Sequence, residues 1–131
     1  VLAGYFSDIL KTRKHHHYII LKNNKVIGHI AIIHKNRSTF EMQVIIGRRI
    51  DRGHGYGELA IKKALAVAFI KLGYSKAYIE VRPNNKRAIR AYRLCGFQAK
   101  GLKKYPRNKF QPVVMKMELS KRNYIEQVSG R

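Results

Sequence analysis

Acidic residues are scarce in this chain. Seven Asp and Glu stand against 28 Lys and Arg in 131 residues, a formal net charge of +21. Between Glu80 and Glu118 there is no acid at all, yet that window holds Arg82, Lys86, Arg87, Arg90, Arg93, Lys100, Lys103, Lys104, Arg107, Lys109 and Lys116. A field of this sign concentrates polyanions and repels polycations. Cysteine is nearly missing too. Cys95 alone excludes an internal disulfide and a Cys-based zinc site, and it fits a reducing, cytoplasmic setting. No stretch approaches the ~18 consecutive apolar residues of a membrane span. The opening Val1-Leu2-Ala3-Gly4-Tyr5 has no basic segment ahead of an apolar run, so no signal peptide is expected. It also lacks an initiator Met, so a truncated N-terminus is expected. Repeats and low-complexity segments are not found, and the length suits one domain, expected over residues 1–119 with a polar, loose tail at 120–131.

What is present follows clear periodicities. Leu2, Tyr5, Phe6, Ile9 and Leu10 have helical spacing and predict a short opening helix. His15-His16-His17 leads into the strand Tyr18-Ile19-Ile20-Leu21, Asn23-Asn24 makes a two-residue turn, and Val26 to His34 returns. Thr39 to Ile46 is a third strand, with Phe40, Met42, Val44 and Ile46 on one face and Glu41, Gln43 and Ile45 on the other. A Gly- and Arg-rich passage, Gly47 to Gly57, precedes a helix whose apolar face is Ile61, Ala64, Leu65, Ala68, Phe69 and Leu72, closed by Gly73. Ala77 to Val81 reads as a buried strand, and Pro83-Asn84-Asn85 breaks it and caps a second helix with the stripe Ala88, Ile89, Tyr92 and Cys95. Two strands follow, about Gln98–Tyr105 and Val113–Leu119. The order α-βββ-α-β-α-ββ needs a parallel crossover after an antiparallel meander. The fold class is therefore α+β, a mixed, mostly antiparallel sheet with helices on its faces.

Arg52-Gly53-His54-Gly55-Tyr56-Gly57 lies between a strand and a helix. Glycines let the backbone approach a phosphate closely, and the helix behind them adds its positive end. A Walker loop would end in Gly-Lys-Ser/Thr, whereas Glu58-Leu59 follows here. A dinucleotide fingerprint would read G-x-G-x-x-G after the first strand of a parallel sheet, and this loop reads G-x-G-x-G after a meander. Arg52-x-x-Gly55-x-Gly57 in this setting resembles the acetyl-CoA loop of the GNAT acetyltransferase superfamily. The run from Ile79 through Asn85, Ala88-Ile89 and Tyr92 to Gly96-Phe97 is similar to that family's second motif. Phe69-Ile70-Lys71-Leu72-Gly73 resembles the branch that acetylates ribosomal proteins. The likeness spans about residues 18–119.

The resemblance implies an N-acetyltransferase that moves acetyl from acetyl-CoA to a primary amine by direct attack. On it, the backbone of Val44, Ile45 and Ile46 grips the pantetheine, the loop from Arg52 through Gly53, His54, Gly55 and Tyr56 to Gly57 takes the pyrophosphate, and Asn85 lies near the cofactor arm. Tyr92 matches the tyrosine that protonates the leaving thiolate, and a phenol pKa of about 10 is close to that of a thiol. As base, Glu80 ranks above Glu41, and each is equally readable as a salt-bridge partner. Cys95, on an apolar stripe, is read as structural. His15-His16-His17 alternate across a strand and do not converge on one metal ion.

Coenzyme A brings three phosphates, which do not need a charge of +21. Either the excess serves a second anionic partner, with RNA or a ribonucleoprotein foremost, or it serves solubility. The acceptor is expected on a protein or an RNA-associated amine. The alternatives are a free small amine or amino acid, and a non-catalytic nucleic-acid binder on the same scaffold.

Overall fold

The structure is a computed structural model, and it describes residues 2–3, 15–47, 55–110 and 112–130. The strands are β1 (Leu2–Ala3), β2 (His15–Lys22), β3 (Lys25–His34), β4 (Thr39–Ile46), β5 (Lys76–Val81), β6 (Gln98–Lys104) and β7 (Val113–Ser120). The helices are α1 (Tyr56–Ala66), α2 (Lys86–Leu94) and α3 (Lys121–Val128). The strands form one sheet in the order β1-β2-β3-β4-β5-β7-β6. All neighbours are antiparallel except β4 and β5.

Local chemistry sets the turns. Asn23 and Asn24 both take positive φ, 49° and 65°, which turns β2 back into β3 with the twist a tight hairpin needs. Between β3 and β4, the Asn36 carboxamide oxygen accepts from the amides of Ser38 and Thr39, each at 2.9 Å. Asn85 caps α2 by accepting from the Ala88 amide at 3.2 Å, and Ser120 caps α3 by accepting from the Asn123 amide at 3.1 Å.

The core lies between the sheet and the helices. Phe40, Met42, Ile30 and Ile32 from β3 and β4 meet Ile61, Leu65 and Phe69, with Ala77, Ile79, Met117 and Leu119 beneath α2 and α3. Phe40 packs edge-on to Phe69 at 5.5 Å and against Tyr74 at 5.1 Å. Burying aromatic side chains of this size contributes roughly 2–3 kcal/mol each, the largest single packing terms in a small domain.

Three sequence expectations need correction. Leu2 and Ala3, expected in a helix, form β1 against Leu21 and Lys22 of β2; the rest of that expected helix lies outside the described residues. The stretch after Leu119, expected as a loose tail, forms α3. Its Tyr124 is buried with its ring 5.0 Å from Phe69, and that one anchor on the core outweighs the helix's polar composition. Leu72, expected on the buried face after α1, is 37% exposed. The helix widens to a π-helical turn over Val67–Lys71, where the Leu72 amide reaches back five residues to Val67. The extra residue per turn rotates Leu72 off the face set by Ala68 and Phe69.

Candidate active site

The parallel pair β4–β5 stays in register only over Thr39↔Lys76, Phe40↔Ala77 and Glu41↔Tyr78. Beyond that point β4 remains paired with β3 out to Ile46, and β5 with β7 out to Val81. Each strand is held by its outer neighbour, so the two diverge and the sheet splits. Met42–Ile46 and Ile79–Val81 border the opening, and their backbone groups on that side have no ladder partner among the described residues. Unpaired strand edges accept an extended chain as an added strand.

α1 begins beside this opening in the chain. Gly55 takes φ 80°, a left-handed conformation that side chains resist, and its carbonyl accepts the first helical bond from the Leu59 amide at 3.0 Å. Among the described residues no side chain caps the helix, and the first-turn N–H groups of Gly57 and Glu58 have no intrahelical partner. The one acid there, Glu58, is paired with Lys62 at 3.2 Å. Arg52, Gly53 and His54 lie outside the described residues, whereas Gly55, Tyr56 and Gly57 open the helix.

Tyr92 sits on the buried stripe of α2, 7% exposed, with its ring edge-on to Phe97 at 6.0 Å. Burial, aided by the nearby Cys95 thiol, pushes its phenol up to about 12. Cys95 is fully buried, and its thiol donates to the Glu58 carbonyl at 3.8 Å, which ties α2 to the first turn of α1. Burial and the Glu58 carboxylate push that thiol up to about 12 against the opposing pull of Lys62, so Cys95 carries no thiolate near neutrality. Asn85 is exposed, with its carboxamide oxygen committed to capping α2.

Alternation on β4 and β5 sends Glu41, Tyr78 and Glu80 to the face opposite Phe40 and Ile79. The Tyr78 hydroxyl donates to Glu41 at 3.3 Å, and Lys35 stands 3.5 Å from the same carboxylate. The Tyr105 hydroxyl donates to Glu80 at 2.6 Å, with Lys103 at 3.8 Å. Lys35 and Lys116 lie over the Tyr78 ring, at 5.8 and 5.1 Å from its centroid. Burial raises the Tyr78 phenol, and Lys35 partly opposes the rise. Both candidate carboxylates thus lie on the open face of the sheet beside the split, each held by a tyrosine and a lysine.

The match to known families settles what the scaffold is. Residues 2–97 match the acetyltransferase (GNAT) family. The chain belongs to the GNAT acetyltransferase family. Members carry acetyl from acetyl-CoA to an amine, and the chain is an N-acetyltransferase of this kind. Among solved structures it is similar to a point mutant of spermidine N-acetyltransferase SpeG from Vibrio cholerae, at 25% identity and TM-score 0.78 over 88% of this chain and 71% of that one. It is also similar to the Vibrio cholerae spermidine N-acetyltransferase in complex with CoA and spermine, at 24% identity and TM-score 0.76 over 86% and 69%. A search of curated proteins gives no match. These structures name a small polyamine as acceptor, and nothing among them supports the protein or RNA-linked acceptor expected from the sequence.

For this GNAT enzyme, the expected site residues other than Asn85 and Tyr92, at the cap and on the stripe of α2, and Arg52, Gly53 and His54, outside the described residues, fall into three groups. Val44 and Ile45, with the backbone of Ile46, line one side of the split. Gly55, Tyr56 and Gly57 head α1. Glu41 and Glu80 share the open face. Tyr78, Tyr105 and Lys35, which hold the two carboxylates, were not singled out from the sequence. Tyr78 was within reach of it, since period-two alternation puts it on the face of Glu80. Tyr105 and Lys35 were not, because only the folded sheet brings them to the carboxylates. Of the histidines, His16 stacks on Tyr18 at 6.5 Å, while His17 meets His29 with ring nitrogens 3.1 Å apart. Among the described residues, no group of three or more His, Cys, Asp or Glu is placed to hold a metal ion.

Proposed function

We propose that this enzyme acetylates a small primary amine that is not a polycation, with the split between β4 and β5 as the site of transfer. One observation carries the acceptor class: among the described residues, each carboxylate beside the split is already matched by lysine. Lys35 pairs with Glu41 and Lys103 with Glu80, and Lys116 covers the tyrosine between them. A polyamine needs carboxylates left free to receive its other ammonium groups. A site with this charge balance, on a chain of +21, repels such a substrate.

The donor fits on two features of the fold. The unpaired edge of Val44–Ile46 offers backbone groups to the amides of the pantetheine arm, and the positive N-terminal end of α1 behind Gly55 suits the diphosphate. Acetyl-CoA supplies an activated thioester. The chain supplies alignment and proton handling.

The proton balance fixes the roles. The acceptor enters as an ammonium ion and leaves as an amide, so it sheds two protons. One ends on the departing sulfur and one goes to solvent. Glu80 takes a proton from the amine, directly or through a water, while Tyr105 and Lys103 hold the carboxylate in place. The amine nitrogen bonds to the thioester carbonyl carbon as the carbon–sulfur bond breaks. Tyr92 offers its hydroxyl to the sulfur, and Glu41, bound to Tyr78 and Lys35, shapes the acceptor side.

The test is an acceptor screen that follows thiol release from acetyl-CoA, with spermidine, neutral monoamines and amino-acid-like amines side by side. Neutral or anionic amines are expected to lead in kcat/KM. A clear preference for spermidine overturns the acceptor class. Failure to bind acetyl-CoA at all overturns the assignment of the split.

A further inference from the structure

The transfer site uses few of the cations. Among the described residues, most of the rest lie in one half of the molecule, outward of β5. There α2 crosses from β5 to β6, past β7, and β6 is the sheet edge with all seven residues exposed. Arg87, Arg90 and Arg93 line the exposed side of α2, Lys100 and Lys104 stand on β6, and Arg107 on the loop after it. None of these six has an ion-pair partner among the described residues. The only carboxylates on the adjoining strands, Glu80 and Glu118, are already occupied by Lys103, Lys76 and Lys116. Unpaired like charges held this close raise the energy of the folded state, a cost that a polyanion would offset.

The loop between β6 and β7 adds a second feature. Its tip is built by the Asn108 side chain, which accepts from the Phe110 amide at 3.0 Å and presents Phe110 88% exposed. A shallow hollow of about 300 Å³ lies beside it, lined by Arg82, Pro83, Asn84, Phe110, Pro112 and Val113. An aromatic platform next to an arginine, within a basic surface, matches what a stacked base and its phosphate require. An anionic membrane fits less well. The exposed apolar side chains here, Leu94, Leu102 and Phe110, come from three different elements, and each has cations for sequence neighbours rather than a shared apolar plane.

We propose that the surface formed by the exposed side of α2, Lys100 and Lys104 of β6, and Arg107 to Phe110 of the loop after it is a docking site for single-stranded nucleic acid, adjoining the transfer site but using none of its residues. The test measures fluorescence anisotropy of labelled 15-nucleotide RNA and DNA oligomers with the whole chain, over a salt series. Binding is expected to weaken steeply with salt. In R87A/R90A/R93A the slope of log K against log[salt] is expected to fall by about 2, since each phosphate that an arginine neutralises on a single strand adds roughly 0.7 to it. K63A/K71A, which removes two exposed lysines near and beyond the far end of α1, is expected to leave that slope unchanged. F110A is expected to lose about tenfold in affinity at fixed salt with the slope retained, as loss of stacking requires. Acetyl-transfer rates of all three variants are expected to match the parent, so a failure here is distinguishable from a failure of the enzyme assignment. Four results each overturn the proposal: no binding at 100 mM salt, equal loss of slope in both multiple variants, displacement of the oligomer by stoichiometric coenzyme A, or binding to phosphatidylserine vesicles in preference to either oligomer.

Discussion

Tyr105 donates its hydroxyl to Glu80 across 2.6 Å, which ties the loop after β6 to the strand that borders the split. The bond fixes the carboxylate on the open face of the sheet and makes Glu80 the better-held of the two candidate bases; Glu41 is held by a longer bond of 3.3 Å from Tyr78. Glu80→Gln is expected to lower kcat/KM about 10²-fold near neutral pH, the usual loss for a positioned base. The deficit should shrink as pH approaches the amine's own pKa, where the neutral nucleophile forms without help. Tyr105→Phe keeps the carboxylate and should cost only a few-fold. Glu41→Gln should change kcat/KM less than Glu80→Gln. Rate profiles of the three variants check this ranking, and a larger loss in Glu41→Gln reverses it.

Tyr92 bears on the other end of the reaction. With its phenol pushed up to about 12, it remains protonated throughout the working range and is a permanent hydrogen-bond donor. Complete transfer to a thiolate of pKa about 8.5 would then be uphill by roughly 3 to 4 units, several kcal/mol. The near-balance expected for an unperturbed phenol therefore does not hold, and in the proposed transfer the hydroxyl would act by stabilising developing charge on sulfur. Tyr92→Phe is expected to lower kcat by about 10- to 10²-fold with little change in KM for acetyl-CoA. No basic limb assignable to Tyr92 should appear below pH 10 in the parent. A Tyr92→Phe enzyme with parental kcat removes the residue from the mechanism.

Much of this arrangement was legible in the sequence. The faces of β4 could be read from Phe40, Met42 and Val44 against Glu41 and Gln43, because a half-buried strand has a strict period of two. The cap Asn85 and the turn Asn23-Asn24 announced themselves through side chains suited to those backbone states. What escaped depended on residues distant in sequence. α3 forms because Tyr124 finds Phe69, 55 positions earlier in the chain. The π turn that exposes Leu72 is set by packing, since Val67, Ala68 and Phe69 would fit an ordinary helix equally well. The lysines that neutralise Glu41 and Glu80 come from a loop and from β6, so the sequence showed a basic chain but not where the acids were matched.

Gly96 explains one packing constraint in this scaffold. It takes φ 102°, and an added Cβ would overlap the Gln127 carboxamide of α3. That same carboxamide donates to the Cys95 carbonyl at 2.8 Å, so the glycine and the glutamine lock α3 onto the end of α2. Gly96→Ala is expected to destabilise by about 2 kcal/mol, part from the left-handed backbone and part from displacing Gln127. Gln127→Ala relieves the overlap but not the backbone strain. In the double variant the two losses should therefore sum to less than their separate values. Denaturant unfolding of the four proteins measures the coupling, and strict additivity would mean the two side chains do not meet.

Alkaline stability follows from the paired thiol and phenol. Burial raises Cys95 from 9.0 and Tyr92 from 10.0, each to about 12. Unfolded, both groups ionise at their ordinary values; folded, they keep their protons. The unfolded state therefore binds fewer protons between pH 9 and 12, and stability falls as pH rises through that window, while below pH 9 it is unaffected. One group held this way costs about 1.4 kcal/mol per pH unit above its unfolded value. Between pH 9 and 10 the loss belongs mainly to Cys95, since the buried tyrosines enter only above 10. Cys95→Ala lowers stability at pH 7 by emptying a small volume, but it should flatten the decline from pH 9 to 10 by about 1 kcal/mol. Urea unfolding at pH 7, 8, 9 and 10 measures both slopes. Parallel declines in parent and variant would show that the Cys95 thiol ionises in the folded protein as readily as in the unfolded chain.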